Sequence, residues 1–180
     1  EEGIIKGMYP LKTVGTSKIQ VQLLGSGAIL REVEKAADML EKDWGVMSNV
    51  WSVTSFNEVT REAQNVDRDN LYSKTQKVPY VTQCLSKSKG PAIAATDYMK
   101  SLAESIARWM PENYFALGTD GYGLSEARPA LRDHFEVSAA YISHAALYAL
   151  FQNNHLSLAE LESAMAKLNI NSDKINPTSI

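Results

Sequence analysis

Two aspartates are the residues of this chain whose types and positions come closest to chemistry. Asp97-Tyr98 follows the short apolar run 92–95, and Asp120-Gly121-Tyr122-Gly123 follows another at 114–117. Both carboxylates are therefore expected just beyond the C-terminal ends of strands, the edge where α/β proteins usually bind and react. Paired there, they would hold a metal ion or shift one another's pKa. Apart, each would cap its own turn, Asp97 ahead of Tyr98-Met99-Lys100 and Asp120 ahead of Gly121. Capping carries more weight, and Tyr98 and Tyr122 then become exposed aromatics suited to an interface rather than to catalysis. Gly121 and Gly123 are expected to permit the bend, since glycine tolerates positive φ.

A second candidate is Gly25-Ser26-Gly27, placed between a strand and a helix, where backbone N–H groups and the helix dipole can hold a phosphate. A dinucleotide fingerprint would need a glycine where Leu30 stands, and a phosphate loop would need Gly-Lys-Ser or Gly-Lys-Thr. A tight structural turn is the better reading. His134, His144 and His155 lie ten and eleven residues apart, unlike a zinc pair on a helix. No Gly-x-Ser-x-Gly nucleophile turn occurs.

The elements that must position these residues follow from hydrophobic periodicity. Residues 3–9 read as an edge strand ended by Pro10, and 19–24 as a second strand. Ile29, Leu30, Val33, Ala36, Ala37, Leu40 and Trp44 recur every three or four residues, with Arg31, Glu32, Glu34, Lys35 and Asp38 on the other face. That helix ends at Gly45. Strands are predicted at 50–53, 92–95 and 114–117, and helices at 57–66, 79–86, 100–110, 127–135, 139–153 and 158–168, with Pro111 stopping the one at 100–110. Residues 67–77 read as an exposed loop. Strands alternating with helices call for a parallel sheet with helices on both faces. The link 11–18 is too short for a helical crossover, so the first strand is expected to run antiparallel. The predicted fold is a three-layer α/β/α domain over 1–180, with a five-stranded, mostly parallel sheet carrying one antiparallel strand.

With 180 residues, 44% of them hydrophobic, the chain can bury one core without a metal or disulfide staple. A formal charge of -3 provides no electrostatic footprint for nucleic acid. No apolar run is long enough for a membrane span. The one cysteine, Cys84, has no partner for an internal bridge, which points to a reducing cytoplasm. The chain opens on Glu1-Glu2-Gly3 rather than methionine, so it reads as a piece of a longer polypeptide.

The blocks GIIKGMY, VQLLGSGAILREVEKAADML, VWSVTSFNEVTREAQNVDR, VPYVTQ, ATDYMK, LGTDGYGLSEAR and LRDHFEV, in this order, closely resemble the C-terminal domain of the homodimeric pyruvate dehydrogenases. The turn from Asp120 through Gly121, Tyr122 and Gly123 to Ser125 is similar to the Asp-x-Phe-Gly-x-Ser turn of the wider transketolase group, with tyrosine in place of phenylalanine. The resemblance implies the transketolase C-terminal fold. It also implies that thiamine diphosphate and magnesium belong to upstream domains of the complete enzyme, with no cofactor, metal or catalytic residue in this chain. That enzyme would decarboxylate pyruvate and acetylate lipoyl groups of the dihydrolipoyl acetyltransferase core. This part would support the homodimer, with Asp97, Tyr98, Asp120, Gly121, Tyr122, Gly123 and Ser125 as structural turn or interface residues. Two alternatives stand beside it: an independent small-anion or nucleotide-binding domain using Gly25 to Gly27, and a docking module for the acetyltransferase core presenting Tyr98, Tyr122 and segment 67–77.

Overall fold

The computed structural model, which describes residues 1–110 and 113–179, is built on a five-stranded sheet in the order β1-β3-β2-β4-β5. The strands are β1 (Met8–Val14), β2 (Gln20–Gly25), β3 (Met47–Val53), β4 (Ala92–Ala95) and β5 (Tyr114–Leu117). β2 pairs in parallel with β3 and β4, β4 pairs in parallel with β5, and β1 lies antiparallel on β3. The mostly parallel, three-layer architecture expected from the sequence is the one observed.

Alternation along the strands divides the core into two layers, because successive side chains point to opposite faces. Val21, Leu23, Val50 and Ile93 face a layer made by α2 (Leu30–Trp44), α7 (Ala139–Gln152) and α8 (Leu158–Lys167). Leu24, Trp51, Val53 and Ala94 face the layer of α3 (Phe56–Tyr72), α4 (Tyr80–Leu85) and α5 (Lys100–Glu104). β4, with the sequence Ala-Ile-Ala-Ala, is buried throughout, and its alanines let helices on both sides approach closely. Gly45 ends α2 in the left-handed conformation at φ 62°, its N–H donating to Glu41 O, while Val46 N–H donates to Leu40 O.

The crossover from β2 runs through α2 toward β3, whereas the crossover from β4 runs through α5 toward β5 on the other face. The winding therefore reverses between β2 and β4. In doubly wound proteins that is the crevice where ligands settle. Ser26, which leaves β2, and Thr96-Asp97, which leave β4, stand at it.

Three segments differ from the sequence reading. Residues 2–5 form a short helix, α1 (Glu2–Ile5), and β1 begins only at Met8 and runs through Pro10 instead of ending there. Pro10 sits in an edge strand at a register slip between Pro10 and Lys12, a place where a missing N–H is tolerated. β1 also does not touch β2, because β3 lies between them. Helix α3 continues through the polar stretch 67–70 to Tyr72. Its extension is held from outside: Trp109 Nε1 donates to Asp67 Oδ2 at 3.1 Å, and the Asn70 amide exchanges two 2.8 Å hydrogen bonds with the Lys77 backbone. Helix α5 stops at Glu104, and a 3-10 turn, Ala107–Trp109, completes the segment expected to be one helix. Pro111, its expected stop, lies outside the described residues. The remaining helices are α6 (Arg128–His134) and those already named. Among the described residues no helix is long and apolar enough to cross a membrane.

Candidate functional site

The site is the C-terminal edge of the sheet, and its first feature is how the crevice between β2 and β4 is filled. Ser26, the residue after β2, is buried, and its hydroxyl donates to Thr96 Oγ1 at 2.7 Å across the crevice. Thr96 Oγ1 in turn accepts from Tyr98 N–H at 3.2 Å. Asp97 then turns back toward β2 and accepts the Ala28 N–H through Oδ2 at 3.0 Å. A negative group at a helix start is favoured by the aligned peptide dipoles, and here that group is the chain's own carboxylate. Gly27, at φ +55°, lies so close that a Cβ would collide with Asp97 Oδ1.

The same device recurs one strand further along. Asp120, following β5, accepts the Lys100 N–H through Oδ1 at 2.9 Å and caps the start of α5. Each aspartate thus caps the helix that follows the neighbouring strand. The sequence reading assigned each to its own following residues, and the structure corrects this. The partners are 69 and 20 residues away, so nothing in the local sequence distinguishes them. Thr119 ties the two segments together, its N–H donating to Tyr98 O and its hydroxyl to Asp97 O, both at 2.9 Å.

The two carboxylates serve different hollows. Asp97 lines a cavity of about 350 Å³ with Thr119, Leu124, Arg128, Phe135 and Val137. Asp120 lines a smaller one of about 160 Å³ with Lys100, Gly118 and Pro177. A third hollow of about 670 Å³ opens beside Ser26, Thr54, Ser55, Tyr98, Met99 and Ser101. Among the described residues no three His, Cys, Asp or Glu side chains are grouped to hold a metal ion. At Gly25-Ser26-Gly27 the position that would cradle a phosphate is taken by Asp97. The residues present therefore do not fit a diphosphate there.

Of the turn glycines, Gly121 takes φ +108°, and a Cβ on it would run into the carbonyl of Pro177. Gly123 is different: its φ is not positive and a Cβ would meet open space, so the bend does not need glycine at that position. Tyr122 is 81% exposed and Tyr98 61% exposed, with Met99 and Leu124 also exposed beside them. Ser125 is exposed in the loop that follows. His134 packs edge-on against Phe135 with ring centroids 4.8 Å apart. Burial pushes the pKa of His144 down and that of the Cys84 thiol up, so neither is poised as a charged catalyst.

Sequence reasoning placed Glu32 on the solvent face of its helix, but it is only 6% exposed. Its carboxylate accepts from Lys35 Nζ and Arg132 Nη1, each at 2.9 Å, and from Ala139 N–H at 3.1 Å. It thereby joins the starts of α2 and α7 to α6. Burial alone would raise its pKa, but the Lys35 and Ala139 hydrogen bonds and the charges of Lys35 and Arg132 outweigh that and hold it below its ordinary value. Ser138, the N-cap of α7, makes no side-chain cap, and Glu32 takes the Ala139 N–H instead; no local sequence signal points to this.

The sheet order is that of a transketolase-type C-terminal domain, and the sequence agrees: residues 7–138 match the family described as transketolase-like TK C-terminal domain, to which the chain belongs. The fold is shared with transketolase from Leishmania mexicana (TM-score 0.58, 17% identity, 84% of this chain and 19% of that one). It is also shared with a split-gene transketolase, described as an inactive beta4 tetramer (TM-score 0.51, 19% identity, 82% of this chain and 43% of that one). In sequence the chain is similar to the pyruvate dehydrogenase E1 component of Escherichia coli K12, 48% identical over 180 residues, and to that of Pseudomonas aeruginosa, 48% identical over 181. In both cases 98% of this chain aligns, and it spans about one fifth (20%) of the relative's length.

Proposed function

We propose that this chain is the assembly-supporting, noncatalytic C-terminal part of a pyruvate dehydrogenase E1 component. The reading is supported by identity at the 48% level across nearly the whole chain. One observation carries it: the crevice between β2 and β4 is bridged by the Ser26–Thr96 hydrogen bond, and the Ala28 N–H is already taken by Asp97. A carboxylate planted at a helix start stabilises the fold and repels a second anion. One oxygen of the Asp97 carboxylate is committed to that cap.

Under this reading the decarboxylation of pyruvate and acetyl transfer to lipoyl groups of a dihydrolipoyl acetyltransferase core belong to the complete homodimeric enzyme. Thiamine diphosphate and magnesium are then held by its other domains. This chain contributes a rigid edge from which Tyr98, Met99, Tyr122 and Leu124 meet a neighbouring surface. Tyrosine and methionine are enriched at the centres of interfaces. The Asp97 carboxylate on the Ala28 N–H argues against an independent anion- or nucleotide-binding domain.

Calorimetric titration of the 180-residue chain with thiamine diphosphate and magnesium tests the reading. No saturable heat and no pyruvate decarboxylation are expected. Stoichiometric binding at micromolar concentration would overturn it.

A further inference from the structure

We propose that residues 171–179 form a strap that fixes the shape of the Gly121 turn, and with it the surface carrying Tyr122 and Leu124. The role of that surface rests on the contact-face reading given above; the strap itself does not.

The chain reverses after α8 at Asn169, which takes φ +55°, and Ile170 N–H donates to Met165 O at 3.1 Å. From there it runs back over the corner between α6 and α7. Lys174 is its anchor. The side chain is only 19% exposed, and its ammonium donates to the Asp133 carbonyl and, at 3.2 Å, to the Tyr141 hydroxyl. It stands 4.8 Å from the centre of the Tyr141 ring, with the carboxylates of Asp133 and Glu136 at 3.7 and 3.9 Å. Glu136 itself takes φ +59°, a conformation disfavoured for a residue with a Cβ. That backbone places its carboxylate beside Lys174.

Three residues beyond the anchor, Pro177 is buried and opens a 3-10 turn, Pro177–Ser179. The Asn176 side chain fixes this turn, accepting from Thr178 N–H at 3.0 Å and from its hydroxyl at 2.8 Å. The Pro177 carbonyl then rests on Gly121 where any Cβ would stand. Asn176, Pro177 and Thr178 roof the hollow over Lys100 and Asp120. The turn is thus held on one side by the Asp120 cap and on the other by the Pro177 carbonyl. Tyr122 follows Gly121 directly, so a displaced strap frees the exposed loop.

Hydrogen exchange on the intact chain tests this with Lys174→Gln, which removes the anchoring charge without adding bulk, and with truncation after Ile170. In both, amides of 119–127 are expected to exchange about tenfold faster or more, as local opening becomes cheaper, while β4 is unchanged. If exchange in the tail accelerates but that in 119–127 stays as in the parent, the strap proposal fails. If 119–127 accelerates while subunit association is unaltered, the strap stands and the contact-face reading falls.

Discussion

Replacing Glu32 by alanine is expected to cost about 3 to 5 kcal/mol of folding stability, the range for removing one partner of a buried, hydrogen-bonded ion pair. The carboxylate has three donors from three places in the sequence, Lys35, Arg132 and the Ala139 backbone. Its loss leaves the Arg132 guanidinium, 21% exposed, without its carboxylate and the start of α7 uncapped. Glu32→Gln keeps an acceptor for Ala139 but not the charge, and a smaller loss of about 1.5 to 3 kcal/mol is expected. Because the native pKa of Glu32 is lowered, its contribution is fully present above the ordinary glutamate value, about 4.3, and is lost as pH falls through the lower native value. Urea unfolding over that range checks both points. A loss under 1 kcal/mol for the alanine variant would show that the bracket matters little.

The second large effect is expected at Gly118, where β5 leaves the sheet. A Cβ there would stand 2.5 Å from Lys100 N and 2.7 Å from both Lys100 Cα and Tyr98 O. All three are backbone atoms of the segment that Asp120 and Thr119 hold in place, so no rotamer change relieves the contact. Gly118→Val is expected to destabilise by about 3 kcal/mol or more, at the upper end of overpacking effects. Gly123→Val, five residues on, meets open space and is expected to stay within about 0.5 kcal/mol of the parent. Equal melting shifts for the two variants would refute the distinction.

The contrast between these glycines marks where sequence reasoning stops. Strands β4 and β5, and helix α2 with its Gly45 stop, are legible because alternation, periodicity and a glycine signal act over a few neighbouring residues. The aspartates at the edge are equally legible as residues placed after strands. What they cap is not, since Asp97 reaches back to Ala28 and Asp120 to Lys100 across a crossover. Glu32 sits in a periodic helix among exposed charges, and only contacts 100 and 107 residues away make it a buried bracket. Likewise α3 continues through its polar stretch because Trp109 and Lys77 fold back onto it. The edge strand escapes Pro10 for the same kind of reason: its partner β3 follows more than thirty residues later, and only an observed register shows the slip that accommodates a proline.

The central claim is that this edge serves contact rather than cofactor. Tyr98→Ala combined with Tyr122→Ala in the complete polypeptide tests it by sedimentation, with thiamine diphosphate affinity measured on the same protein. Truncating a central aromatic at an interface typically costs about 2 kcal/mol. Association is therefore expected to weaken by about thirtyfold or more, with cofactor affinity unchanged once the protein is concentrated enough to assemble. Unaltered association together with a lost affinity for thiamine diphosphate would contradict the account.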